Sequence, residues 1–477
     1  MDVLAGLLAA VGAFSLSWQV GTLGYWPDQT ANLAGRAILS AAGVAELAPQ
    51  LAAFPPLPYL LLSLVELVAQ PLGLSSVALT TALLAAALLV SIIRALRQAG
   101  FAMGAIIAFV LIYASNPLTL HSIVRGPQGM LLLCSVWMFG RGLFGFRTTG
   151  GVNALLALSL SLPLMALTSV RGAVIAVSAV PFLLLAVPPD LRQRADASTY
   201  LVLLFPLLFA GLFMMAIAAM LLQDPFGFVT VEMMETGRWS GRPWYRILAA
   251  SIAVVLGCCV IAIGLILRAR HRLPLQSAAG ALLATLVLSV VLLAMFGIAE
   301  SALQALSIAP TAAMVILVQW PREENRLLRT GALLLIGWLV ASAFAVADGR
   351  PFRDPLALVV GRGPRMAAPT APALGQWLAG KESVMIHALD HPEVVAARGS
   401  ADGLVTIASP VFAVSLLSRR VFTEHVVLRE HLPGISDDAI SRAMPGLYRN
   451  GPPGYRLTYD AGGWRVWSRG APPEDNQ

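Results

Sequence analysis

The chain has 477 residues, 58% of them hydrophobic and only 12% charged, with a formal net charge of +7. Soluble domains carry roughly a quarter charged residues, so a water-soluble globule of this size is excluded and a bilayer is the natural solvent. The basic excess is almost all Arg, scattered through short segments between apolar runs with no interleaved aromatics, which argues against a nucleic-acid surface.

Residues 3–22 read as a retained first transmembrane helix: Asp2 stands where a cleaved signal carries basic residues, and no small-x-small site follows. The loop 23–54 opens Gly24-Tyr25-Trp26-Pro27-Asp28-Gln29-Thr30. Tyr25 and Trp26 suit the membrane–water boundary. Asp28 there is either a general base or the cap of an amphipathic helix over 30–45. The stretch 56–72 begins Pro56-Leu57-Pro58-Tyr59 and contains Glu66, so it reads as an interfacial or re-entrant segment. Further apolar runs fall near 75–93, 101–115, 128–143, 152–168, 172–188, 199–222, 247–267, 276–297, 305–319 and 330–347. With 3–22 they make about eleven spans of an all-α polytopic bundle.

Positive-inside bias orients the bundle. If 56–72 does not cross, one side receives Arg94 and Arg97, Arg141 and Arg147, Arg192 and Arg194, Arg268, Arg270 and Arg272, and Arg322, Arg326 and Arg329. The N-terminus then lies on that cytoplasmic side. The loops 23–54, 116–127, 169–171, 223–246 and 298–304, and the C-terminal tail, share the outer side. His121 and Arg125, then Arg171, then Trp244 and Tyr245 beside Asp224, Glu232, Glu235, Arg238, Arg242 and Arg246, and finally Glu300, all fall in or beside those outer segments. An Arg at membrane depth is costly and marks function, and its fork suits a phosphate. The competing reading is an Arg snorkelling to the interface. Cys134, Cys258 and Cys259 lie in apolar runs without metal or redox spacing and read as small buried hydrophobes.

From 348 the composition shifts to Gly, Pro and charge, giving a linker and a small α/β domain over 348–477. Residues 383–388 and 404–407 read as strands, 410–419 as a helix, and 455–468 as a hairpin turning at Ala-Gly-Gly. His387, Asp390, His391 and Glu393 cluster there but show no convincing metal-ligand set, so they read as a polar loop.

In order, Asp28, the amphipathic stretch 30–45, Phe54-Pro55-Pro56-Leu57-Pro58-Tyr59, Arg125-Gly126-Pro127-Gln128, Thr168-Ser169-Val170-Arg171 and Pro243-Trp244-Tyr245 resemble the GT-C superfamily of membrane glycosyltransferases, above all protein O-mannosyltransferases and the enzymes that add aminoarabinose to lipid A. The likeness covers roughly residues 1–320 by layout. Two features depart from it. Gln29 follows Asp28 where a second acid is frequent, so a two-carboxylate metal site is not expected, and Glu300-Ser-Ala-Leu-Gln replaces an Arg-Tyr pair.

The resemblance implies transfer of a sugar from a polyprenyl-phosphate donor to a hydroxyl of a lipid, glycan or protein acceptor, outside a bacterial cytoplasmic (inner) membrane, with inversion at the anomeric carbon. Asp28 would take the acceptor proton. Arg125 and Arg171 would hold the departing phosphate, with His121, Tyr59, Trp244, Tyr245 and Glu300 around the substrates. No metal-ligand set is read, and the sequence names no cofactor; it does not indicate a divalent cation and leaves open whether one is needed. The main alternative is a membrane transporter or lipid flippase, and a second is a membrane-anchored sensor whose work lies in the tail. Sugar transfer requires Asp28, Arg125 and Arg171 to converge on one pocket.

Overall fold

Helices satisfy every backbone polar group within one segment, which is what a run of Leu, Ala and Val needs in lipid. The computed structural model describes residues 2–24, 26–44, 55–226, 244–268, 273–296, 306–319, 335–343, 370–430 and 439–470, with the single positions 346, 357 and 359. The described chain is mostly helical with a small C-terminal sheet. It forms two compact units: residues 1–17, 51–58 and 80–364, and residues 18–50, 59–79 and 365–477.

The helices run α1 (Asp2–Thr22), α2 (Asp28–Ala41), α3 (Pro56–Ala69), α4 (Ser76–Gln98), α5 (Met103–Ser115), α6 (Pro117–Val124) and α7 (Gly126–Thr149). They continue as α8 (Val152–Ala166), α9 (Val170–Ala179), α10 (Pro189–Leu222), α11 (Trp244–Cys258), α12 (Val260–Arg268), α13 (Leu273–Met295) and α14 (Ala309–Val318). Five of them, α1, α4, α7, α10 and α13, are long and apolar enough to cross a membrane. The pair α5–α6, bent by 58°, makes a sixth if it counts as one span.

The count of eleven read from hydropathy is therefore not reproduced among the described residues, because several of the runs form helices too short to cross alone or are broken within. Asn116-Pro117 follows directly on the run 101–115 and leaves α5 with 13 residues, and Thr168-Ser169 closes the run 152–168. Val180-Pro181 turns the end of α9 into a 3₁₀ helix, and α11 gives way to α12 at Cys258-Cys259. Helix α8, with 15 residues, rises only about 22 Å against a hydrocarbon core of about 30 Å. The run 330–347 is described only over 335–343, where it is helical, and at 346.

Within the first unit α7 is central, burying Phe139, Phe144 and Phe146. By contrast, α10 exposes Leu201, Phe205, Phe209, Leu212 and Phe213, the face expected of a helix against lipid.

The second unit holds α15 (Thr370–Trp377), β1 (Val384–Met385), α16 (Pro392–Arg398), β2 (Leu404–Val405), α17 (Pro410–Ser418), β3 (His425–Arg429), α18 (Ala439–Ala443), α19 (Leu447–Asn450), β4 (Tyr455–Ala461) and β5 (Trp464–Arg469). The sheet order is β2-β1-β3-β5-β4, with β1 parallel to β2 and β3, and β5 antiparallel to β3 and β4. The hairpin turns at Gly462-Gly463, whose φ angles of 57° and 79° suit the primed turns that match strand twist. The two short strands, the helix and the hairpin read from the sequence are all present. Strand β3 was not read: Val426, Val427 and Leu428 are a continuous apolar run, buried throughout, with no alternation to mark a strand.

Helix α2 belongs to this second unit, although it lies in the first loop of the sequence. Its Ile38 and Leu39 share a core with Leu374, Ile386, Val394, Val395 and Trp464. Gly35 packs on the Pro392 carbonyl so closely that a Cβ would overlap it. The helix stops at a Schellman turn: Gly43, at φ 70°, donates to Ser40, and Val44 N–H donates to the Leu39 carbonyl at 2.9 Å.

Candidate functional site

In the first unit a polar corner is built where α5 gives way to α6 and α7. Asn116 precedes a proline and is extended, so α5 must stop there. Its side-chain oxygen accepts from Leu118 N–H at 2.9 Å and caps α6, while its amide donates to Ser342 Oγ at 3.2 Å. One turn further on, His121 is buried and its carbonyl receives the Arg125 N–H at 3.0 Å. Arg125, only 5% exposed, closes α6 and opens α7. Thr119 and Gln128 are also buried, and neither the Thr119 hydroxyl nor either polar atom of the Gln128 amide has a hydrogen-bond partner among the described residues. Buried polar atoms are nearly always paired, so this corner has unused capacity to bind a polar group.

A second corner joins α8 to α9. Thr168 Oγ1 donates back to the Met165 carbonyl at 2.7 Å, and Ser169 Oγ caps α9 by accepting from Gly172 N–H at 3.1 Å. A Cβ on Gly172 would overlap the Met165 carbonyl, so the turn is fixed tightly. Arg171 sits in the first turn of α9, 6% exposed. Between Glu66 and Asp190 the sequence carries no carboxylate, and no ion pair to Arg171 occurs among the described residues. The positive end of a helix and a guanidinium thus fall together in an apolar setting, an arrangement that favours an anion. Leu57 N–H donates to the Leu167 carbonyl at 3.3 Å, so the Pro-Pro-Leu-x-Tyr segment begins against the turn that carries Arg171.

In the second unit Asp28 is the first residue of α2, and Pro27, not Asp28, holds the cap position. The buried Tyr59 hydroxyl lies 2.5 Å from Ser40 Oγ of α2, so this phenol fastens one helix to another. His387 Nδ1 lies 2.6 Å from Asp390 Oδ2, and His391 meets Trp464 edge-on at 4.8 Å. No His, Cys, Asp and Glu group able to hold a metal occurs among the described residues. The hydrogen bond from His387 draws the Asp390 carboxyl below its ordinary range. Burial, then the charge of Lys381, pushes the His425 imidazole down.

His121 and Arg125 therefore share one corner, Arg171 marks another in the same unit, and Asp28 and Tyr59 belong to the second unit. Tyr245 is exposed near the start of α11. The side chains of Asp28 and Trp244, all of Glu300, and the acids and arginines of 227–243 lie outside the described residues. Asn116, Thr119 and Gln128 were missed by the sequence reading. The signal that points to them is Asn-Pro directly after the apolar run 101–115, which demands a helix end and a cap.

These features define a helical membrane protein with arginines buried at helix starts and an attached α/β unit. No protein-family model matches the chain, and no curated protein matches it significantly.

Proposed function

We propose that this chain is a GT-C-like glycosyltransferase that moves a sugar from a polyprenyl phosphate to an acceptor hydroxyl outside a bacterial inner membrane. The observation that carries this reading is Arg171: a buried guanidinium at a helix start, in a stretch without carboxylates, needs an anion to offset its desolvation. A lipid-linked phosphate reaches that depth from the bilayer. Arg125 would share the phosphate and Gln128 would hydrogen-bond to it. Asp28 would remove the acceptor proton as the sugar–phosphate bond breaks through an oxocarbenium-like state. About eleven crossings are retained in this reading, with the short and broken helices crossing in combination. The N-terminus is then cytoplasmic, and the C-terminal domain over 348–477 is periplasmic or extracellular.

The deciding experiment is transfer from a panel of radiolabelled polyprenyl-phosphate sugars by the purified protein in liposomes. Asp28→Asn should lower turnover by about 10²–10⁴-fold with donor binding kept, and Arg171→Ala should lose donor binding. Normal transfer by Asp28→Asn, or no binding of any donor by the unaltered chain, would reject the proposal. A transporter or flippase is the second reading, favoured by one feature: α5–α6 is a broken helix bent by 58° with buried polar residues at the break, as in many transporters. Movement of unmodified lipid-linked sugar across the bilayer, with no glycosylated product, would select it.

A further inference from the structure

Helix α17 rests on the domain through Phe412 and Ser415, which are buried, while its opposite face is bare. That face is mostly aliphatic, and its one exposed hydroxyl, Ser418 Oγ, donates back to the Val414 carbonyl at 2.7 Å. Val411, Val414 and Leu417 follow one another at helical spacing, with Leu417 87% exposed, and Ile407 and Phe422, which flank the helix in sequence, are exposed too. The helix itself carries no acid, and it ends at Arg419 and Arg420, both exposed. An aliphatic ridge of this kind is rare on a water-facing surface and marks a binding face.

We infer that α17 is an interfacial helix that docks the second unit onto an anionic lipid surface. Two properties favour lipid over protein. Apolar bodies with a basic end complement the acyl boundary and the anionic head groups above it. The ridge's one hydroxyl, Ser418, is already bonded within the helix, which leaves little to fix the register of a protein interface, ordinarily carrying a hydrogen bond every 100–200 Å² or so. The same chain carries five helices long and apolar enough to cross a bilayer, so lipid is a partner the protein already has. The inference does not depend on sugar transfer and would hold equally for a transporter.

The test uses the full chain in nanodiscs of phosphatidylcholine, with or without phosphatidylglycerol. A fluorophore is placed at Leu417→Cys or Val414→Cys, with exposed Asp402→Cys as the control site and the chain without added cysteine as background. Docking predicts quenching at 414 and 417 by nitroxide-labelled lipid, stronger with phosphatidylglycerol, and none at 402. Arg419→Glu with Arg420→Glu should lower the docked fraction about tenfold or more. Quenching at 417 by aqueous iodide alone would overturn the proposal. So would shielding of 417 from both quenchers, which would mean a protein covers the ridge, and so would quenching indifferent to lipid charge.

Discussion

At the residue scale the decisive contrast is between buried cations and buried neutral groups. Arg171 is desolvated without an ion pair among the described residues, so the fold bears its cost. Arg171→Met should therefore raise thermal stability in detergent, by on the order of 1–3 kcal/mol, while abolishing donor binding. A variant that is both less stable and still binds donor would show the guanidinium to be a structural strut. His425 illustrates the opposite case. Its Nδ1 meets Ser468 Oγ at 2.7 Å, and its ring stands edge-on to Trp377, on which Lys381 stacks. Burial and Lys381 hold its pKa below the ordinary 6.5, so the unfolded chain binds a proton that the folded one resists. Stability of the second unit should thus fall as pH drops through about 6.5. His425→Gln should flatten that part of the profile, which thermal melts between neutral and mildly acidic pH would reveal. Asp390 adds a separate loss at lower pH, because its depressed pKa contributes stability only while the carboxylate is ionised.

At the element scale, α2 shows how one glycine sets a helix's position. Gly35→Val would drive a side chain into the Pro392 carbonyl, and overpacking against backbone costs roughly 1–3 kcal/mol or more. The expected result is a lower melting temperature and faster proteolysis between α2 and α16, with Gly35→Ala milder. An unchanged melt for Gly35→Val would mean that α2 seats elsewhere. The helix itself was legible: Pro27-Asp28 starts it, Gly43 stops it, and its apolar face repeats at helical spacing. What that face covers was not legible, because amphipathicity reports only that something must cover it. The end of α5 was equally legible in Asn116-Pro117, which closes the run 101–115, but the helix α6 beyond it lies where the sequence reads as a loop.

At the scale of the whole molecule, the second unit is assembled from sequence-distant parts. A fragment of residues 365–477 would expose the seat of Ile38 and Leu39 on Leu374, Val394 and Trp464. Each buried aliphatic side chain is worth about 1.5–3 kcal/mol, which is a large share of a small domain's stability. The fragment alone should aggregate or show poor amide dispersion, and fusion to residues 18–50 through a flexible linker should restore a folded spectrum. A well-dispersed spectrum from the fragment alone would show that α2 is dispensable. The same dependence alters how a tail deletion reads. Loss of 350–477 bares the face of α2, the helix that Asp28 begins, so loss of transfer on deletion would not by itself identify a sensor.

Composition and hydropathy by themselves determined the membrane setting, the mostly helical make-up and the small C-terminal sheet. These follow from local burial demands that every apolar run states on its own. The positions of Asp28, Arg125 and Arg171 at helix boundaries were also legible, since turn and cap residues announce such boundaries. Only the tertiary structure decided that α2 joins the tail, that Leu57 meets the turn before Arg171, and that Gln128 is buried with its amide unpaired among the described residues. These are pairings between distant segments, and in lipid or in a core an apolar surface is satisfied by any partner of suitable shape. A single sequence therefore states that a face must be covered without naming what covers it.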